Sequence, residues 1–101
     1  MLKREGQILF LPERVTLSTV TALGSAFAEA LRHQQGALVL DCTQVTDVDS
    51  SAVSLLLHAH RLANEAHITL TIQHIPHNLA QLISLYHLPD LQHSPTPSPS
   101  D

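Results

Sequence analysis

Apolar positions change their period several times along the chain, and each change marks an element. Gln7 to Leu11 (Gln-Ile-Leu-Phe-Leu) is a short apolar run between Gly6 and Pro12 and reads as a strand. Leu2-Lys3-Arg4, ahead of Glu5-Gly6, predicts a shorter strand turning back on it. Pro12 cannot donate to a ladder and ends the run. Arg14-Val15-Thr16-Leu17 predicts a further short strand. The period then becomes helical: Val20, Leu23, Phe27 and Leu31 form one stripe of a helix running to about Arg32, with Ser18 as its expected N-cap. Gly24 within it costs about 1 kcal/mol against alanine. The opposite face (Thr21, Ala22, Ser25, Ala26, Ala28) is small and nearly uncharged, which suits either a weakly polar solvent face or close packing against another protein.

Gln34-Gln35-Gly36 reads as a helix exit. Ala37 to Asp41 is apolar at consecutive positions, which predicts a central strand covered on both faces. A polar stretch ends at Asp49-Ser50-Ser51, and a second helix follows to about Ala66. Its apolar arc includes Val53, Leu55, Leu56, Leu57, Ala59 and Leu62, and Ser54, His58, Arg61 and Glu65 form one exposed stripe. Ile68 to Ile72 alternates as a strand with one apolar face, and Asn78 to Tyr86 predicts a third helix. Ser94 to Asp101 alternates with proline and predicts a disordered tail. Strands alternating with helices imply an α/β fold, a mixed β-sheet with helices packed on it. The expected organisation is one domain over 1–92 and a Pro/Ser-rich tail over 93–101.

Composition narrows the function. With 101 residues the chain suits a single small domain. Five basic residues and a net charge of −4 speak against nucleic acid, which needs a basic face. Only 14% of residues are charged, a thin polar coat that hints at a surface covered by a partner. No apolar run approaches a membrane span and no N-terminal apolar signal is visible, so a soluble intracellular protein without direct membrane insertion is expected. Cys42 is the only cysteine and is expected to be a small half-buried residue rather than a reactive thiol.

The stretch with chemistry is the corner where the central strand feeds Asp49-Ser50-Ser51 and a helix start. Ser50 or Ser51 can cap the helix through a backbone N–H two or three residues on. The partial positive charge of a helix start favours Asp49 or a phosphoryl group on Ser50. A Ser50 that is only a cap satisfies the same spacing. Catalysis is not expected, because a serine nucleophile needs a base and an oxyanion hole, and none of Gly6, Gly24 and Gly36 lies near the corner. Eight histidines are scattered without metal-ligand spacing, so neither metal nor cofactor is expected.

Val39-Leu40-Asp41, then Val45-Thr46-Asp47-Val48-Asp49-Ser50-Ser51-Ala52-Val53 and an apolar helix, resembles the STAS family (sulfate transporter and anti-sigma factor antagonist domains) over about residues 7–92. Ser54-Leu55-Leu56-Leu57-His58 and Leu82-Ile83-Ser84-Leu85-Tyr86-His87-Leu88-Pro89 are similar to the branch that contains MlaB, the STAS subunit of the Mla phospholipid-transport system. The resemblance implies a single STAS-type domain acting as a non-enzymatic cytoplasmic subunit, peripheral to the inner membrane. It would bind the ATPase subunit of an ABC transporter, and through it the permease, in a complex that maintains outer-membrane lipid asymmetry. Ser50 falls on the family's Ser/Thr position, the phosphoacceptor in anti-sigma factor antagonists and a contact to the ATPase in the Mla branch. Asp49, Ser51, Ser54 and His58 complete the implied partner surface. The alternative is an anti-sigma factor antagonist switched by a serine kinase at Ser50. The sequence departs from the family at Ala52, where a glycine is usual, and at Pro12.

Overall fold

The structure is a computed structural model that describes residues 2–85. The expected tail at 93–101 and the last residue of the third expected helix, Tyr86, lie outside the described residues. In chain order the elements are β1 (Lys3–Glu5), β2 (Ile8–Phe10), β3 (Arg14–Val15), α1 (Val20–Arg32), β4 (Ala37–Asp41), β5 (Asp47–Val48), α2 (Ser50–Glu65), β6 (Thr69–Gln73) and α3 (His77–Leu85).

The main sheet has the order β1-β2-β4-β6. β1 and β2 form an antiparallel hairpin through Gly6, whose φ of +61° is the left-handed conformation a tight turn requires. β2 pairs parallel with β4, and β4 parallel with β6. Parallel neighbours cannot be joined by a tight turn, so α1 and α2 are the crossovers between them. The result is the expected mixed sheet with helices on it.

Strand side chains alternate, and this decides where the core sits. Leu9, Leu38, Leu40, Leu70 and Ile72 point to one face and are buried together with Leu23 and Phe27 of α1, Ala52, Leu55 and Leu56 of α2, and Leu79 and Ile83 of α3. The other face carries Ala37, exposed, Val39, half-buried, and Asp41, buried. The expectation that β4 is covered on both faces is therefore met in part, toward the Asp41 end of the strand.

Several boundaries move for local reasons. α1 begins one residue later than a Ser18 cap implies: Thr19 holds the N-cap position and makes no side-chain cap bond. Thr19 Oγ1 instead accepts from Thr16 N–H at 3.0 Å, closing a turn over Thr16–Thr19 that also cuts β3 short at Val15. Val20, expected in the buried stripe, is half-buried. α2 ends in a Schellman arrangement, with His67 N–H donating to Asn64 O and Ile68 N–H to Ala63 O. His67 sits at φ +60°, where glycine is favoured. Replacing His67 by Gly is expected to stabilise the domain by about 1 kcal/mol. Urea unfolding should show this as a higher midpoint at an unchanged slope; an unchanged or lower midpoint would mean that the histidine side chain offsets its backbone strain.

Candidate functional site

The polar stretch between β4 and α2 is held by backbone pairing at its start, middle and end. Cys42 N–H donates to Gln73 O at 2.9 Å, and Thr43 N–H to the buried Asp41 carboxylate at 2.7 Å. Thr46 and Asp47 N–H both donate to Glu13 O, at 2.9 and 3.0 Å. Asp47–Val48 then pairs parallel with Arg14–Val15, a two-stranded sheet the apolar pattern did not foresee because two residues show no period. Arg14 Nε lies 3.1 Å from Asp47 Oδ2, and Asn78 Nδ2 donates to Thr46 O at 3.1 Å. Exposed ion pairs add little energy, so the register rests mainly on the backbone bonds.

This frame delivers Asp49 to the helix start. Asp49 is the N-cap of α2: its backbone is extended (φ −136°, ψ −170°) and its Oδ1 accepts from Ser51 N–H at 2.8 Å. The capping role expected of Ser50 or Ser51 thus falls to the residue before them, since aspartate caps as well as serine does. Asp49 Oδ2 accepts from Leu17 N–H at 3.0 Å, so one carboxylate joins the start of α2 to the turn before α1. The Leu17 N–H is the main reason the carboxyl sits below its ordinary value of 3.8; partial burial opposes this, and the Ser51 N–H and hydroxyl add to it. Ser50 is the first residue of α2, is exposed, and is relieved of capping.

α1 and α2 run side by side in the same direction. A methyl at Gly24 would lie 3.8 Å from the His58 ring and 3.9 Å from Leu55, which places the middle of α1 against the middle of α2. Between them opens a groove of about 590 Å³. Val20, Thr21, Ser25 and Ala28 line it from α1; Ser51, Ser54, Leu55 and His58 line it from α2. Of the residues singled out from sequence, Ser51, Ser54 and His58 thus come together in one groove, Asp49 stands at its mouth, and Ser50 is exposed beside it. Leu17 was read as a strand residue. It is 76% exposed and lines the same groove. A lone leucine among Thr16, Ser18 and Thr19 was the available signal.

Other candidates for chemistry lie elsewhere. Cys42 is fully buried, more so than expected. Burial, with a smaller push from the Asp41 carboxylate, raises its thiol to about 12. Iodoacetamide at pH 8 is expected to leave native Cys42 unmodified over hours and to alkylate it on addition of denaturant; mass spectrometry reads both states, and prompt native alkylation would contradict the burial. Among the described residues no three His, Cys, Asp or Glu side chains converge as a metal site. His74 Nε2 lies 3.8 Å from Asp41 Oδ2. No described helix is long and apolar enough to cross a membrane.

A mixed four-stranded sheet with helices packed on it, an aspartate-capped helix start with an exposed serine, and an uncharged groove beside it define a STAS-type binding domain. A family model described as "Mlab, STAS domain" matches residues 2–93. The chain belongs to the STAS-domain family. Among solved structures it is similar to an anti-sigma-factor antagonist (STAS) domain protein from Planctomyces limnophilus, with a TM-score of 0.73, 17% identity, and coverage of 90% of this chain and 84% of that one. A chain designated Mglu is similar at a TM-score of 0.57 and 18% identity, over 78% of this chain and 20% of that one. At these identities the two structures speak to the fold. No curated protein matches. STAS domains are in general binding and regulatory modules that mediate contacts between proteins.

Proposed function

We propose that the chain is an accessory STAS subunit of an ABC-type phospholipid transport complex. It binds the ATPase subunit through the Asp49-Ser50 corner and the exposed side of α2, at the cytoplasmic side of the inner membrane, and so supports the maintenance of outer-membrane lipid asymmetry. The observation that carries this reading is the match of nearly the whole chain, 2–93, to a family model that bears the Mlab name. The corner fits the role: Asp49 takes over the cap and leaves Ser50, Ser54 and His58 exposed for a partner. Ser50→Arg puts a long cation at the positive end of α2, against the helix dipole. The variant is expected to keep its circular dichroism and melting temperature but to lose co-purification with the ATPase from the native cell. An ATPase recovered in full with Ser50→Arg would remove Ser50 from the interface.

The similarity to an anti-sigma-factor antagonist domain favours a second reading, in which a serine kinase switches the domain at Ser50 and an anti-sigma factor is its partner. There Ser50→Asp should release the anti-sigma factor, and unchanged binding would argue against the switch.

A further inference from the structure

The groove between α1 and α2 is wider than the Ser50 corner needs, and its chemistry specifies what it can hold. Both walls are helices, whose interior backbone groups are already bonded, so the floor offers a strand nothing to pair with. An extended peptide laid there would bury its own N–H and C=O groups against apolar surface, which is costly. A helix satisfies its backbone internally and avoids that cost. The α1 wall is small at Thr21, Gly24, Ser25 and Ala28, which allows close approach of a third helix. From Leu17 to Ala28 the wall extends about 16 Å, or three helical turns.

Charge narrows the occupant further. Among the described residues no Asp, Glu, Lys or Arg lines the groove. Asp49 stands at the mouth, bound to the backbone of the groove residues Leu17 and Ser51. Among the described residues its carboxylate forms no ion pair, whereas nearby Asp47 is already paired with Arg14. Leu17, 76% exposed beside Asp49, is apolar surface left for an incoming side chain to cover.

We infer that the groove seats one helix of the partner protein, about three turns long, which lays an uncharged apolar seam between α1 and α2 and sets a lysine or arginine against Asp49. The inference rests on the reading that the chain binds a protein partner at this end. It makes α1 half of the interface, together with the corner and α2.

The test uses the full chain in complex with the ABC ATPase, with p-benzoylphenylalanine introduced at Ser25 on the groove wall or at Ser50 on the corner. The expected result is a photo-adduct to the ATPase from both positions, with the Ser25 adduct mapping to a helix that carries a basic residue at one end. An adduct from Ser50 alone overturns the groove inference and leaves the partner reading standing. Adducts from neither position overturn both. A Ser25 adduct to a second copy of this chain, or to an extended segment of the ATPase, overturns the assignment of a helix. In parallel, Ser25→Glu should weaken ATPase binding about 30-fold by burying an unpaired charge, while Ser25→Ala stays within about twofold. Ser25 is exposed, so both variants should melt like the parent; equal affinity of the Glu variant overturns the inference.

Discussion

Phe27→Ala is expected to destabilise the domain by about 3–5 kcal/mol. Phe27 is 2% exposed and is one of only two phenylalanines in the chain. It reaches from α1 into the space bounded by Leu11, Leu40, Leu55 and Ala59, so it joins the first crossover helix to the sheet and to α2 at once. Its neighbours there are leucines and Ala59, around a small cavity of about 10 Å³, and loss of the ring would enlarge that space. The cavity cost therefore adds to the lost transfer energy. A domain of this size has about 5–15 kcal/mol in total, so the variant should lose about 15 °C or more of melting temperature. Phe27→Leu, which refills most of the volume, should recover the greater part. Thermal unfolding of the pair is the measurement, and a loss in Phe27→Ala no larger than that of an exposed-site variant would contradict the packing described.

Asp49→Asn is expected to lower the melting temperature by several degrees and to free the turn that carries Leu17. The amide keeps one carbonyl oxygen, which can still accept from Ser51 N–H, but it has no second acceptor for Leu17 N–H. The cap survives and the link between the two helix starts does not. Acidification should do the same to the parent protein. Both N–H groups favour the ionised carboxylate, so its folded-state pKa lies below the ordinary 3.8. The stabilisation is complete above that ordinary value and is lost as pH falls through the depressed one. Melting temperatures followed from pH 5 down to about pH 2 should show parent and Asp49→Asn converging. Parallel curves would mean that Asp49 is not the link. Because the same change loosens Leu17, Asp49→Asn should weaken partner binding although Ser50 is untouched.

Much of this arrangement is legible in the residues themselves. Val20, Leu23, Phe27 and Leu31 have a helical period and form a helix; Ile68 to Ile72 alternates, and a one-faced strand forms one residue on, at Thr69–Gln73. Long periodic segments declare themselves because burial imposes the period. What escapes is set by single bonds. Ser18, Ser50 and Thr19 are all good caps, so spacing cannot choose among them; Thr16–Thr19 and Asp49–Ser51 bonds make the choice. β5 has two residues and owes its existence to Glu13 O, far off in sequence. The candidate site was found as a loop and one face of α2. Its other wall, α1, was visible only as a run of small residues, because a groove belongs to two helices and neither sequence alone contains it.

The two parallel pairings at the centre of the sheet also govern how this chain folds. Ile8 meets Val39, and Leu40 meets Ile72, each pair about 30 residues apart. The β1–β2 hairpin and the helices close over short loops, but the sheet cannot be assembled until two long loops have lost their freedom. Folding is thus limited by docking β4 between β2 and β6. Until β4 docks, Leu38 and Leu40 are uncovered, and in that interval the chain is most open to aggregation through its exposed apolar surface.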